Sequence, residues 1–297
     1  MPEKTTRRSV LAMAMGSGLI HAQSRRLQFG FSLYGMRTVP VREALAHLAK
    51  LGYKSTEICL RAGWNTEPKL LTKALRADIK RQLGDLGLAL PSVMENIGLG
   101  RPDGLKMNAE RVRIAAEICH ETSPGPPALI ETTVGGGAPA AWEERKNAMA
   151  EELVALAKTA EEMKTVLAIK AHSKNAMNLP ERALWLADQA KSKWVSLVYD
   201  YSHYLANGLD MKKTMEQVAT RAVFVHIKDT EGRAPNHKFL LPGDGDIDYK
   251  AYVKTLTGVG YRGPVVVEVS VDVFNQPAYD PLAASKKVWE KVSPAFG

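Results

Sequence analysis

Cysteine is scarce in this chain: Cys59 and Cys119 are the only two among 297 residues. Two cysteines build no disulfide framework and hold no thiolate metal site on their own. Both are therefore expected to be free and buried. Basic residues outnumber acidic ones, 40 to 32, giving a formal net charge of +8, yet no long Lys/Arg block occurs. The cations are scattered over helical stretches with acids nearby, which argues for a solvated basic surface and against a nucleic-acid partner. No apolar run reaches the roughly 18 residues of a membrane span. No GxGxxG follows the first apolar strand, which counts against a dinucleotide-binding sheet. Low-complexity linkers and domain boundaries are absent too.

The N-terminus has its own pattern. Arg7-Arg8 precede an apolar run from Val10 to Ile20, and Ala22 offers a small residue before a cleavage point. This is a secretory signal pattern, and the paired arginines point to the twin-arginine route. Residues 1–22 are expected to be a signal peptide. The mature protein would then be periplasmic, with no membrane contact after cleavage, and residues 23–297 would form one domain.

From Leu27 onward, apolar β-branched runs alternate with amphipathic helical stretches. Strands are expected at Leu27–Leu33, Lys54–Leu60, Leu88–Met94, Ala128–Val134, Thr165–Ala171, Val195–Asp200, Ala222–Lys228 and Pro264–Val269. Runs of this kind, bounded by polar residues, read as strands buried on both faces. One strand–helix unit takes about 30 residues. Eight such units in one chain predict a single-domain (β/α)8 TIM barrel, with an open doubly wound sheet as the rival.

Parallel strands bring their C-terminal tips to one end of the barrel, where active sites form. Read in order, the tips carry Glu57, Glu95, Glu131, Lys170 with His172, Asp200 with His203, His226, and Glu268. A charged group at a buried strand end is costly unless something uses it. An Asp, a His and a Glu converging there suit a divalent metal with mixed O/N ligands. Glu57, Glu95 and Glu131 read more simply as wall residues or loop caps. Asp229 is expected to orient the loop or a ligand histidine, Trp64, Trp142 and Trp185 to pack in the core or at the rim, with Trp64 in its loop also placed to stack on a ring, His47 to be a surface or core-edge histidine, and His120 and His237 to have no constellation around them.

Four features together resemble one family. They are D-x-x-H (Asp200, His203), H-x-K-D (His226, Lys228, Asp229), the PGDGDID loop (Pro242–Asp248) and the strand-eight Glu268. From Leu27 to the C-terminus the chain resembles the xylose isomerase-like barrels, often called sugar phosphate isomerases/epimerases. The resemblance implies one divalent metal ion, manganese, zinc or similar, held by a strand-five Glu, Asp200, His226 and Glu268. It also implies that the strand-five and strand-eight carboxylates form the acid/base pair. Here the strand-five position is Lys170, and an ammonium cannot ligate a cation. Three readings follow. Asp200, His226 and Glu268 hold the metal with help from His172 or His203; or Lys170 is a substrate-facing acid/base group with its pKa lowered; or the metal is lost and Lys170 pairs with Glu268.

The expected activity is proton abstraction next to the carbonyl of a small sugar or keto-sugar. A metal on Asp200, His226 and Glu268 would polarise that carbonyl, Lys170 or Glu268 would move the proton, and His172 and His203 would hold hydroxyls. Return of the proton elsewhere gives isomerisation or epimerisation. Loss of a β substituent from the same enolate makes the protein a lyase of oxidised (3-keto) glycosides. A non-catalytic sugar-binding protein is the third reading.

Overall fold

The computed structural model describes residues 27–101 and 104–297, so the expected signal peptide lies outside the described residues. Eight parallel strands close into a barrel. They are β1 (Gln28–Ser32), β2 (Ser55–Cys59), β3 (Ala89–Met94), β4 (Leu129–Thr133), β5 (Leu167–Lys170), β6 (Val195–Asp200), β7 (Ala222–Ile227) and β10 (Pro264–Val267). Each barrel strand lies within or close to its expected run. The remaining two strands, β8 (Asp229–Glu231) and β9 (Lys238–Leu240), form a separate antiparallel hairpin.

The outer layer follows from helical periodicity. In α1 (Val41–Leu51), Val41, Ala44, Leu45 and Leu48 are buried, an i, i+3, i+4, i+7 stripe, and Gly52 stops the helix at φ 111°. Then come α2 (Lys73–Leu86), α3 (Gly104–Thr122), α4 (Trp142–Glu162), α5 (Pro180–Ala190), α8 (Tyr249–Gly258) and α10 (Pro281–Val292). Three short helices complete the set: α6 (Tyr201–Ala206), α7 (Met211–Thr214) and α9 (Val271–Phe274). The stretch from Asp210 to Thr220 is α7 followed by a π turn, Met215–Ala219. The β8–β9 hairpin occupies the segment directly after β7, from Asp229 to Leu240.

Side chains alternate along a strand, and that alternation sorts the barrel. Ile130, Ile169, Leu197, Val225 and Val265 belong to the main core that meets the helices. Their neighbours Leu129, Ala168, Val198, Phe224 and Val266 form a separate small cluster inside the barrel. Two residues further along the same five strands stand Glu131, Lys170, Asp200, His226 and Glu268. The barrel interior therefore changes from hydrocarbon to ionic groups in one step of the pleat. Both cysteines are free and buried, as expected.

Candidate active site

The ionic layer is nearly closed to solvent. Lys170 is 1% exposed; its ammonium donates to His226 Nδ1 at 2.8 Å and Glu268 Oε1 at 2.9 Å and forms an ion pair with Glu131 Oε1 at 3.0 Å. Because Nδ1 of His226 accepts, its Nε2 carries the ring proton and donates to Glu57 Oε2 at 3.1 Å. Ser32 and Ser92 donate to the same carboxylate at 2.6 and 2.8 Å. Glu57 thus fixes the tautomer of His226, and His226 fixes Lys170.

A second lysine lies above the first. Lys228 Nζ donates to Asp200 Oδ2 at 2.5 Å and to Glu268 Oε2. The other Asp200 oxygen, Oδ1, accepts from Ser202 Oγ at 2.6 Å and Ser202 N at 3.2 Å. Each Glu268 oxygen therefore carries one ammonium. Burial alone would raise the Glu268 pKa, but the Lys170 and Lys228 ammoniums outweigh it and hold the group well below the usual carboxylate range. Burial would lower the Lys170 pKa; Glu131 and Glu268 outweigh it and hold the group above its ordinary value. Glu57 is likewise lowered against burial, by His226, Ser32 and Lys170. Glu131 is raised, chiefly by burial.

A cavity of about 180 Å³ opens above this layer. Its wall includes His172, His203, Lys228, Phe239, Glu268 and Asp272. Phe239 comes from the hairpin, and its backbone N donates to Asp272 Oδ2 at 3.0 Å. The Lys228 ammonium lies 5.0 Å from the Phe239 ring centroid, a cation–π contact. The rings of His172 and His203 lie 4.2 Å apart. Lys174 N donates to His172 Nδ1 at 3.2 Å, which leaves Nε2–H as the ring's free donor. Burial, then Lys228 and Lys170, push the His172 pKa down to about 3, so this ring is neutral.

Of the six expected site residues, the structure brings His172, His203 and Glu268 to the cavity wall and places Asp200 beside them under Lys228. It sets Lys170 and His226 in the ionic layer, among the groups below the wall. Lys170 has none of the lowered pKa of a substrate-facing base; it pairs with Glu268, as the third reading had it. The lysine that faces the cavity is Lys228. It had no assigned role in the sequence, although its i, i+2 relation to His226 puts both on the inner face of one strand.

Other residues also resolve. Glu57 and Glu131 are neither wall residues nor loop caps but members of the ionic layer, while Glu95 pairs with Arg111. His237, expected to lack partners, lies against Ser173 Oγ at 2.9 Å, and that hydroxyl also meets His203 Nδ1 at 3.3 Å. Asp229 orients its loop as expected, accepting from Gly243 N at 2.7 Å, Gly245 N at 2.9 Å and Tyr249 Oη at 3.2 Å. Trp64 packs on Tyr34 with centroids 5.3 Å apart.

A cation suits the place where these donors meet. One donor atom each from Asp200, His203 and Glu268 lies within 4.8 Å of the others. The Nε2 of His203 is buried without a hydrogen-bond partner and faces Asp200 Oδ2 at 3.5 Å. Two carboxylates and one imidazole form a mixed O/N set consistent with one divalent metal ion. Ser173 N donates to His203 Nδ1 at 3.3 Å, so the ring proton stands on Nε2, facing Asp200; ligation through Nε2 would need the other tautomer, with Ser173 Oγ as acceptor for Nδ1–H.

A closed parallel barrel with acid, base and imidazole groups gathered at its C-terminal strand ends defines a TIM-barrel enzyme scaffold. The chain belongs to the xylose isomerase-like TIM barrel family, whose model matches residues 45–291. It is 26% identical to the inosose dehydratase of Clostridium perfringens (strain 13 / Type A) over 278 residues, 84% of this chain and 90% of that one. Its fold is similar to that of the IOLI protein solved with a bound zinc atom, with TM-score 0.73 and 18% identity, covering 90% of this chain and 99% of that one. It is also similar in fold to the 3-keto-D-glucoside 4-epimerase YcjR from E. coli, with TM-score 0.70 and 16% identity, covering 91% and 100%.

Proposed function

We propose that the protein is a keto-sugar isomerase or epimerase that moves a proton on the carbon next to a carbonyl. The observation that carries this is the contact between Lys228 and Glu268 on the cavity wall. It places a hydrogen-bond donor and a carboxylate base side by side, as enolisation requires. Lys228 Nζ donates to the substrate carbonyl oxygen. As it turns from Glu268, the carboxylate loses a stabilising cation and becomes more basic. Glu268 then takes the α proton, and the electron pair of that C–H bond moves to the carbonyl oxygen. Lys228 gives a proton to that oxygen and takes back the proton of the neighbouring hydroxyl, whose oxygen becomes the new carbonyl, while Glu268 returns the carbon-bound proton to the former carbonyl carbon; the result is isomerisation. The neutral His172 ring donates its Nε2–H to a substrate hydroxyl. If a divalent ion is bound, Asp200, His203 and Glu268 are the residues to hold it, and it supplies Lewis-acid polarisation of the same carbonyl.

A second reading is elimination, favoured by the likeness to an inosose dehydratase along most of the chain. The first step is unchanged. The enolate then expels the β hydroxyl, which leaves as water with the proton taken by Glu268. Solvent-deuterium exchange into an inosose and a 3-keto-D-glucoside, followed by NMR of the products, separates the outcomes. Exchange with retained carbon–oxygen bonds marks isomerisation or epimerisation, and an unsaturated product marks elimination. Glu268→Gln is expected to cut exchange by about 10² to 10⁴. Exchange undiminished in that variant would sink both readings.

We further propose that the protein is exported and trimmed, on the strength of Arg7-Arg8 and the apolar run to Ile20. Intact-mass measurement of periplasmic material is expected to show loss of about 22 residues. Full-length protein confined to the cytoplasm would refute export.

A further inference from the structure

We infer that Lys228 Nζ and a divalent metal ion are alternative occupants of one position, so that an ion enters this site only as the Lys228 ammonium swings out. Half of the carboxylate oxygens at the site are committed elsewhere. Glu268 Oε1 is held by Lys170 at 2.9 Å, and Asp200 Oδ1 by the Oγ and N of Ser202 at 2.6 and 3.2 Å. The atoms left to ligate an ion are Glu268 Oε2, Asp200 Oδ2 and His203 Nε2. Lys228 Nζ already bonds the two oxygens, and His203 Nε2 stands beside them, buried and without a hydrogen-bond partner. An ion bridging Oδ2 and Oε2 needs the space that the ammonium fills, and two cations cannot share it.

The two lysines differ in their freedom to leave. Lys170 has two hydrogen-bond acceptors and an ion-pair partner around it and is 1% exposed. It keeps its grip on Oε1 whether or not an ion binds at Oε2, so an ion would take Glu268 through one oxygen. Lys228 has two acceptors, both of them the ion's ligands. It lines the cavity beneath the Phe239 ring, 5.0 Å from its centroid. An entering ion removes both acceptors and turns the ammonium toward the cavity and its contents. Metal loading and the placement of a mobile cation against the substrate are then one event.

The test needs no turnover and stands apart from the proton-transfer reading, which can fail in the exchange assay while this holds. Chelator-treated protein is titrated with zinc by calorimetry as the parent and as Lys228→Met. The variant is expected to bind one zinc per chain about tenfold tighter or more, because a cation has left the site. Adding Asp200→Asn to the variant is expected to erase the gain. Should Lys228→Met fail to fold by circular dichroism, Lys228→Gln takes its place. In the parent, mass spectrometry after brief acylation is expected to show several-fold more modification of Lys228 when zinc is present, with Lys170 unmodified throughout. Zinc affinity no higher in the variant, or zinc protecting Lys228 from acylation, would overturn the inference.

Discussion

Replacing Lys170 by methionine isolates what the buried ammonium contributes. Methionine keeps nearly the same length and volume, so the change removes the charge, two hydrogen bonds and the ion pair with Glu131 while the packing stays close to intact. Glu268 retains Lys228, but Glu131 loses the one ammonium that contacts it, at 3.0 Å. Removing one partner of a buried ion pair costs about 3–5 kcal/mol. For a domain of this size, one kcal/mol corresponds to about 2–4 °C, so the melting temperature should fall by roughly 6–20 °C. Glu131, already raised by burial, should take up a proton in the variant, so the loss should shrink as pH falls toward the carboxylate range. Adding Glu131→Gln removes the stranded charge and should restore about 1–3 kcal/mol relative to additivity. Calorimetry on the parent, both single variants and the double variant completes the cycle. Lys170 is held above its ordinary pKa, so its contribution is complete below the unfolded value of about 10.4 and is lost only as pH rises through the folded one. Between pH 6 and 9 the cycle should therefore be flat in the parent. A variant that melts within about 2 °C of the parent, or effects that simply add, would refute the three-partner account of Lys170.

Two further predictions concern the scaffold. Glu268 and Glu57 are held below the usual carboxylate range, so the stability they lend is present above about pH 4.3 and is lost as pH falls through their lower folded values; urea midpoints that stay constant from pH 5 to pH 2 would contradict this. Gly30 allows β1 to approach β2, and a Cβ there would stand 2.5 Å from the Ser55 carbonyl oxygen. Gly30→Ala should destabilise the barrel by about 1–3 kcal/mol or more, and an unchanged denaturation midpoint would show that the two strands can part without cost.

The barrel was legible because its signal is repetitive. Eight β-branched runs spaced by helical stretches permit few other closures, and each run contains its strand or overlaps nearly all of it. The tips were legible as a set, since Asp200, His226 and Glu268 stand at the ends of hydrophobic runs where charge is otherwise costly. What the residues alone left unresolved was depth. Glu57, Glu131 and Lys170 sit at strand tips just as Glu268 does, and only closure of the barrel shows which of them reach the cavity. Lys228 carries one signal only, its parity with His226, which marks it as inward-facing at the end of β7. Phe239 and His237 had no signal at all. They lie in Glu231–Lys238 and its surroundings, a polar stretch with Gly232 and Pro235, and their place at the mouth depends on a hairpin whose strands are three residues each.

The hydrocarbon layer of Leu129, Ala168, Val198, Phe224 and Val266 has a consequence for how the site responds to its medium. It seals the ionic layer from below, and the helices seal its sides, so dissolved salt reaches these charges only through the cavity. Counterions screen exposed charges beyond about 8 Å at physiological ionic strength but reach buried ones poorly. The attraction among Lys170, Glu131, Glu268 and His226 is thus set by fixed geometry and a low local dielectric. The scattered +8 surface charge will respond to salt in the ordinary way, while the field at the cavity floor changes much less between dilute and concentrated surroundings.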